Sequence, residues 1–172
     1  VLTDNINIAN QIHMLRDHGQ SQKYFHDFIG YNYRMDGIQA AVLRVKLKYL
    51  QEWTDRRNEI AQCYSDGLTE IMGLKVPHIE VNTVSSFHLY VIHTSERDKL
   101  LSYLNEQGVA VGLHYPIPIH LQKAYKYLNY KEGDFIIAEK NAKECLSLPI
   151  YPEMKTTDNE LVIHYINNFF SI

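Results

Sequence analysis

The first 35 residues combine one helical pattern with an irregular segment. Over Asp4–Arg16, apolar residues stand at Ile8, Ile12 and Leu15, three or four positions apart, which is typical of a short amphipathic helix. Residues 19–35 follow with polar and aromatic side chains and two glycines, a composition that predicts an irregular loop. The chain therefore opens with a helix and a loop.

A long helical pattern extends from Asp36 to about Leu68. Asp36 and Gln39 have the spacing of a capping box, in which each side chain bonds a backbone N–H of the first turn. Apolar and aromatic residues recur mostly at steps of three or four, with charged residues between them: Val42, Val45, Tyr49, Trp53, Ile60, Tyr64 and Leu68. The pattern predicts one helix over 36–68, which could join two parts of a structure or lie along an interface.

The pattern changes after Gly73, where three short elements follow one another. Phe87–His93 predicts a strand, Glu96–Gln107 a helix that Gly108 ends, and Val109–Leu113 a second strand. That order indicates a compact βαβ-like unit.

The remaining residues combine a proline-rich loop with two amphipathic segments. His114–His120 (HYPIPIH) contains two prolines, an amphipathic segment covers Phe135–Cys145, and a last helix begins at Thr157. Thr157 and Glu160 again have the capping-box spacing. Together the elements predict an α+β or α/β arrangement in which a long helix precedes a small mixed domain.

Composition and charge narrow the class of protein. The 172 residues are 45% hydrophobic and 22% charged with a net charge of −3, so the chain is globular and neither nucleic acid nor an anionic membrane is favoured as a partner. No apolar run reaches the roughly 20 residues of a membrane-spanning helix. Cys63 and Cys145 form no CxxC motif, which indicates free thiols in a reducing, cytoplasmic compartment. The chain begins without Met or a signal peptide, and we expect a fragment of a longer protein.

The sequence predicts no metal site and none of the common nucleophile or phosphate loops. His88 and His93 point to opposite faces of a predicted strand, and prolines separate His114 from His120. No HxH, HExxH, GxSxG, P-loop or GxGxxG motif occurs. The lysines lie among polar neighbours, whereas a lysine that forms a Schiff base needs a desolvated setting.

Two polar loops remain as candidate sites. Gly30–Gly37 (GYNYRMDG) groups Asn32 and Arg34 before the long helix, where they could bind an anion or fasten the loop. His114–His120 follows a predicted strand, and such loops commonly carry function, although a proline-rich edge connection is the alternative. The residues alone assign no reaction to either loop.

The same two loops carry a resemblance to a known family. GYNYRMDGIQAA resembles the G-x-N-x-R-M…Q-A-A signature of the DegT/StrS-like sugar aminotransferases, which are fold-type I enzymes of pyridoxal phosphate (PLP). Three further segments are similar to the family in the same order: VLTDN…IANQIHMLRDHG, GLHYPIPIHLQKAY and GDF…AEK…CLSLPIYPEM. The resemblance covers essentially the whole chain in four ordered blocks.

The resemblance implies an α/β parent protein of PLP fold type I, of which this chain is the C-terminal portion. Residues 1–35 would be the end of the large PLP-binding domain with an interface loop, residues 36–68 the long connecting helix, and residues 69–172 the small α+β C-terminal domain. Family members are longer, and the Lys of the internal aldimine is expected upstream of Val1. We therefore expect no catalytic residue in this chain and no activity from it alone.

For the parent, the resemblance implies PLP-dependent transfer of an amino group, usually from glutamate, to a keto-sugar on a nucleoside diphosphate. The family is built as homodimers with active sites at the subunit interface. Asn32 and Arg34 would bind the phosphate region of PLP in the neighbouring subunit, and His114, Tyr115 and His120 would line the nucleotide-sugar pocket. The segment HYPIPIHLQKAY most resembles that of enzymes that make 3-amino sugars on thymidine-diphosphate carriers. Amination at the 4-position and uridine carriers stay open.

Two alternatives also stay open. Some members of the same family have His in place of the Lys and act as sugar dehydratases, and the position that separates them lies outside this chain. A non-catalytic binding or dimerisation module would keep the same small domain and interface helix.

Overall fold

The computed structural model describes residues 1–171, which form two compact units. The first comprises residues 1–49 and the second begins at Leu50. The boundary falls inside the segment predicted as one long helix. The division into the end of a large domain, a connecting helix and a small domain stays a prediction. No helix in the described residues is long and apolar enough to cross a bilayer.

The first unit begins with helix α1 (Ile6–Arg16), which confirms the predicted helix. The side-chain oxygen of Asn5 caps it by accepting hydrogen bonds from the backbone N–H groups of Asn7 (3.0 Å) and Ile8 (3.3 Å). The loop that follows holds a small antiparallel hairpin made of β1 (Gln20–Gln22) and β2 (Phe25–His26).

The single helix predicted over 36–68 is corrected to two helices separated by one tight turn. In order these are α2 (Gly37–Lys46), a 3-10 turn (Leu47–Tyr49) and α3 (Leu50–Leu68). Leu47, at the end of α2, has φ −58° and ψ −29°, which are 3-10 values, so the backbone tightens there instead of continuing as α-helix. The predicted capping role of Asp36 at the start of α2 is confirmed, because its Oδ1 accepts from the backbone N–H of Gln39 at 2.8 Å.

Helix α2 exposes apolar side chains. None of its described residues is buried, and at least half of the surface of Ile38, Val42, Leu43 and Val45 is accessible. A continuous exposed apolar face of this kind usually marks a surface that another molecule or segment covers.

The second unit combines a small sheet with four helices in its described residues. The helices are α3, α4 (Arg97–Glu106), α5 (Ile136–Glu144) and α6 (Thr156–Phe170). The strands are β3 (Leu74–Lys75), β4 (Tyr90–Thr94) and β5 (Cys145–Leu148), and 3-10 turns occupy Ile119–Leu121 and Lys123–Leu128.

The predicted βαβ-like unit is corrected: the strands of the sheet pair antiparallel, and the second predicted strand neither forms nor pairs with the first. Strand β4 lies in the middle and pairs with β3 and β5, with Tyr90 opposite Leu148. The predicted strand Val109–Leu113 contributes only an isolated bridge, in which Gly112 and Ser147 exchange two backbone hydrogen bonds of 3.1 and 2.8 Å. The segment cannot extend this pairing through Pro116 and Pro118, because proline has no N–H to donate.

Helix α6 begins one residue before the predicted start, and the predicted capping box is wrong. Lys155, with extended φ −73° and ψ 148°, is the N-cap residue and makes no side-chain cap bond. Thr157 therefore lies within the first turn, where its backbone is helical and its hydroxyl cannot act as an N-cap. The helix packs against α3, where Gly67 permits the approach: a Cβ there would lie 2.7 Å from Cγ2 of Ile163.

Two buried tyrosines occupy the core of the second unit. The rings of Tyr64 and Tyr90 lie 5.0 Å apart, and the hydroxyl of Tyr64 donates to the carbonyl of Pro149 at 2.9 Å. The hydroxyl of Tyr90 lies 2.9 Å from Oγ of Ser65, and burial raises the pKa of Tyr90 to about 12. Both phenols therefore stay neutral and hydrogen-bonded inside an otherwise apolar core.

Replacing Leu146 tests the importance of β5 for this core. Leu146 is fully buried, so Leu146→Ala should lower the free energy of unfolding by about 2–5 kcal/mol. Leu161→Ala on α6, where the leucine is 46% exposed, is the matched control and should change it by about 0.5 kcal/mol or less. Urea denaturation followed by circular dichroism measures both, and equal losses would contradict the assignment of β5 to the core.

Candidate functional site

The GYNYRMDG loop is fastened to the end of α1 by its backbone. The N–H of Tyr31 donates to the carbonyl of Leu15 at 2.7 Å, and the N–H of Tyr33 donates to the carbonyl of Arg16 at 2.8 Å. The last carbonyls of a helix have no partner within the helix, so these bonds satisfy both segments. The backbone of Asn32, between the two donors, is thereby held in place.

Gly30 allows this approach. A Cβ on Gly30 would overlap the backbone of Gly19, and a Cβ on Gly19 would overlap the carbonyl oxygen of Phe28. Gly19 also has a left-handed backbone with φ +71°, which side chains disfavour. The two glycines are thus required where the loop crosses the end of α1.

Asn32 and Arg34 lie on the face of the loop opposite a pair of tyrosines. The rings of Tyr31 and Tyr33 stack at 5.0 Å with an interplanar angle of 10°. Alternate residues of an extended segment point to opposite sides, which places Asn32 and Arg34 together on the other side. Asn32 is exposed and is therefore available to a ligand.

The guanidinium of Arg34 already holds an oxygen anion. Its Nη1 donates to Oδ1 of Asp17 at 2.6 Å, and the two side chains are 49% and 40% exposed. An ion pair so exposed contributes only about 0.2–1 kcal/mol, so a phosphate could replace the carboxylate at little cost. The loop thus presents an amide and a guanidinium suited to binding an anion.

The second unit contains a separate open pocket of about 1060 Å³ next to the HYPIPIH loop. Strand β4, helix α5 and the residues between the loop and α5 form its other walls. The lining residues are Val91, His93, His114, Tyr115, Pro116, Ile117, Pro118, Ile119, His120, Gln122, Tyr125, Leu128, Tyr130, Phe135, Ala138, Asn141, Ala142 and Cys145. They are mostly aromatic or aliphatic, with imidazoles, phenols and amides as the polar groups. This composition is typical of a site for an organic ligand.

His114 is held against the core at the start of the loop. Its Nδ1 lies 2.9 Å from Oγ of Ser147, a buried residue of β5. Tyr115 follows and is 74% exposed at the mouth of the pocket. Of these two predicted site residues, His114 therefore provides a fixed imidazole and Tyr115 an accessible phenol.

His120 is held at the other end of the loop by a buried carboxylate. Its Nε2 lies 3.0 Å from Oε1 of Glu139, and the two side chains are 8% and 9% exposed. Backbone N–H groups of Gly133 and Phe135 also donate to Glu139. These backbone bonds, chiefly that of Gly133, together with His120 lower the pKa of Glu139 although burial opposes them, so the carboxylate is ionised at neutral pH.

His93 and Glu139 were missed as site residues by the sequence analysis. His93 appeared only as a histidine on a predicted strand, but it lines the pocket from β4. Glu139 appeared within an amphipathic segment, where a glutamate usually faces solvent. Their positions depend on strand pairing and on the fold of residues 114–135, which local patterns do not reveal. No group of three potential metal ligands occurs among residues 1–171.

Comparison with known proteins identifies the family. The sequence profile of the DegT/DnrJ/EryC1/StrS aminotransferase family matches residues 1–167. The chain belongs to this family.

Relatives in the family include proteins with biosynthetic and regulatory names. The chain is 41% identical to a pleiotropic regulatory protein of Geobacillus stearothermophilus over 99% of this chain and 46% of that protein. It is 39% identical to the dTDP-3-amino-3,4,6-trideoxy-alpha-D-glucose transaminase of Streptomyces venezuelae over 90% of this chain and 41% of that protein. The chain thus spans a little under half of the length of these relatives.

Solved structures in the family share the fold. The crystal structure of DesV from S. venezuelae, in complex with a ketimine intermediate, superposes with a TM-score of 0.93 at 36% identity and covers 99% of this chain and 46% of DesV. The structure of NtdA from Bacillus subtilis with the bound cofactor PMP has a TM-score of 0.87 at 27% identity, covering 99% of this chain and 41% of NtdA. The fold of this chain is therefore that of one part of a sugar aminotransferase of the DegT/DnrJ/EryC1/StrS family.

Within this member of the family, the predicted site residues fall into two groups. His114, Tyr115 and His120 line one pocket of the second unit, while Asn32 and Arg34 share one face of a loop in the first unit. The roles assigned to these five residues stay predictions.

The acid sensitivity of the second unit tests the environment of His93. Burial lowers the pKa of His93 below its ordinary 6.5, with Lys75 acting in the same direction and Glu144 opposing both. The unfolded chain therefore binds a proton near pH 6.5 that the folded chain binds only at lower pH. The free energy of unfolding should fall as the pH drops below 6.5 and should level off below the folded pKa.

His93→Gln should remove this part of the pH dependence, because glutamine does not titrate. Urea midpoints measured at intervals between about pH 8 and pH 5 report the slope for both proteins. An equal slope in the variant and the natural chain would show that His93 is as readily protonated in the folded state as in the unfolded state.

Proposed function

We propose that the whole protein is a PLP-dependent aminotransferase that transfers an amino group from glutamate to a keto-sugar carried on a nucleoside diphosphate. The match of the aminotransferase family to residues 1–167 carries this proposal. Relatives named as transaminases of dTDP-linked amino sugars support the substrate class. Their names contain 3-amino sugars, and we propose amination at the 3-position.

The pocket beside the HYPIPIH loop suits the uncharged part of such a substrate. Its described lining residues include no Lys, Arg, Asp or Glu, and they offer aromatic rings, imidazoles and amides. Rings of this kind stack on a sugar or a base, and hydroxyl and imidazole groups orient it. His114, Tyr115 and His120 form the substrate side of the pocket, with Tyr115 the most accessible of them.

The GYNYRMDG loop suits the phosphate of the cofactor. Arg34 donates to a carboxylate oxygen in the structure, and the same guanidinium geometry suits donation to a phosphate oxygen. Asn32 adds an exposed amide on the same face. When bound, the cofactor supplies the electron sink that transamination requires. Asn32 and Arg34 contribute by holding its phosphate in place through hydrogen bonds, and Arg34 also neutralises part of its charge.

A homodimer is part of the proposal. The exposed apolar residues of α2 form a surface that a second subunit would cover. In such a dimer, Asn32 and Arg34 of one subunit bind the cofactor phosphate of the neighbouring subunit. The whole protein would be a fold-type I enzyme and, with its free Cys63 and Cys145, would work in the cytoplasm.

The function is tested with the whole protein and a panel of nucleotide sugars. Glutamate is combined in turn with 3-keto and 4-keto sugars on thymidine and uridine diphosphate, and the release of 2-oxoglutarate is measured. We expect one 3-keto substrate to be aminated and the protein to carry a lysine-linked PLP chromophore that borohydride bleaches. A protein without this chromophore and without turnover of any substrate would contradict the proposal.

A regulatory, non-catalytic role is the second candidate, because the Geobacillus relative is named as a regulatory protein. The same experiment separates the two candidates. A protein that binds a nucleotide sugar but releases no 2-oxoglutarate supports the second. Loss of water from the sugar without amination supports the dehydratase alternative.

Asn32→Ala and Arg34→Ala in the whole protein should weaken PLP binding. Each removes a hydrogen bond to a charged phosphate, a loss of about 1.5–3 kcal/mol, which corresponds to a roughly 10- to 100-fold higher dissociation constant. Asn10→Ala, an exposed asparagine on α1, is the matched control and should leave the constant unchanged. Titration of the apoprotein with PLP, followed by absorbance, measures all three.

Mixed dimers test whether the loop acts across the interface. Asn32→Ala subunits are combined with subunits that lack the cofactor lysine, so that each parent dimer has only defective sites. A site shared between subunits regains its full set of residues in the mixed dimer, and activity should return. Mixed dimers that stay as inactive as the parents would contradict the cross-subunit assignment.

A further inference from the structure

Glu139 is a buried carboxylate to which the proposed function gives no role. It lies on α5 and is 7% exposed. Both of its oxygens accept from the N–H of Gly133, at 2.9 and 3.0 Å. Oε1 also accepts from the N–H of Phe135 at 3.2 Å and from Nε2 of His120 at 3.0 Å. Three N–H groups of the chain thus donate to this carboxylate, three of the four contacts being to Oε1.

These contacts connect two of the segments that define the family resemblance. Gly133 and Phe135 belong to GDF, Glu139 belongs to the AEK that follows it, and His120 ends the HYPIPIH loop. An ionised carboxylate can only accept, so Nε2 of His120 carries the donated proton. The ring of Phe135 packs on this imidazole at 4.8 Å between centroids. One side chain therefore joins helix α5, the turn before it and the end of the loop.

The loop is fixed at both ends and accessible between them. His114 is held by Oγ of Ser147 at 2.9 Å, and His120 is held by Glu139. Two of the five residues between them are prolines, which restrict the backbone. Tyr115 and Ile119 are 74% and 72% exposed, and the ring of Tyr115 lies edge-on to that of the anchored His114, with 5.5 Å between the centroids. The position of the accessible loop therefore depends on its two anchored histidines.

We propose that Glu139 is a positioning residue for the substrate loop. Through His120 it fixes the C-terminal end of the HYPIPIH loop, and thereby the place at which Tyr115 meets the nucleotide sugar. The role of Tyr115 rests on the proposed function, whereas the anchoring of the loop does not. Preorganised loops improve binding because less conformational freedom is lost when the ligand arrives.

Glu139→Gln in the whole protein tests the anchor. Glutamine keeps the shape but loses the negative charge, and its NH₂ group replaces one acceptor oxygen, so it holds His120 and Gly133 more weakly than the carboxylate does. Amide hydrogen exchange of residues 119–122 and 133–135 should become at least about tenfold faster, and the KM for the nucleotide sugar should rise by about tenfold with kcat changed less than about threefold. PLP affinity should stay unchanged.

Glu132→Gln is the matched control. Glu132 lies on the same segment but is exposed and pairs only with Lys143 at 3.0 Å. This variant should leave both the exchange rates and the KM unchanged. If it instead reproduces the effects of Glu139→Gln, the effect is one of charge on the segment and the proposal is overturned.

Substitutions of His120 keep the proposal testable even if Glu139→Gln does not fold. His120→Gln retains an N–H that can donate to Glu139, whereas His120→Leu does not. We expect His120→Leu to accelerate exchange of residues 119–122 and 133–135, and His120→Gln to keep this exchange within about threefold of the natural protein, because it can still donate to Glu139. Equally fast exchange in His120→Gln and His120→Leu would show that the bond to Glu139 does not hold the loop, which overturns the positioning role.

The exchange measurement separates this inference from the proposed function. If no nucleotide sugar is aminated but exchange still accelerates in Glu139→Gln and His120→Leu, the aminotransferase proposal fails while the anchor stands. If turnover is found and exchange is the same in every variant, the anchor is disproved and the aminotransferase proposal stands.

Discussion

The second unit depends on the complete burial of strand β5. All four of its residues are buried, with β4 paired along one edge and Gly112 bonded to Ser147 along the other. A strand enclosed on both faces and at both edges cannot shift its register without disturbing every neighbour. Because Oγ of Ser147 holds His114, the register of this core strand also decides where the HYPIPIH loop begins.

The two candidate loops are immobilised in different ways. The GYNYRMDG loop is held by backbone hydrogen bonds to the end of α1, which require glycine at the crossing but leave the side chains of Asn32 and Arg34 open to ligands. The HYPIPIH loop is held by side chains at its two ends, and its middle is stiffened by proline. In the first case backbone bonds hold the loop and only Arg34 adds a side-chain bond, to Asp17, while in the second two of the three candidate residues hold it.

Local signals predicted the helices well and the sheet poorly. Periodicity and end signals located α1 and α4 to within about two residues, and the cap at Asp36 was predicted from its spacing to Gln39. Strand β5 has no alternating pattern because both of its faces are buried, so the sequence analysis assigned no strand there. The direction of strand pairing is set by contacts distant in sequence, and this is why a βαβ-like unit was expected where the sheet is antiparallel.

The candidate site was predictable to a similar extent. The chemistry of His114, Tyr115 and His120 and their place on one loop were evident from the sequence, whereas the pocket that they line requires β4 and α5 as further walls. Glu139 has the sequence context of a surface glutamate on an amphipathic helix. Its burial arises because the turn at Gly133 folds two N–H groups onto it and the loop brings His120 from 19 positions away. Neither contact leaves a short-range pattern.

The pairing of Arg34 with Asp17 has a consequence for selectivity. The two charges cancel each other, so the loop attracts polyanions less strongly than an arginine without a carboxylate partner would. In its proposed role, an incoming phosphate must exceed the carboxylate in charge or in the number of bonds that it makes, and the dianionic phosphate of a monoester such as PLP has this advantage over chloride or a phosphodiester. If Arg34 binds phosphate as proposed, Asp17 competes with that phosphate for the guanidinium.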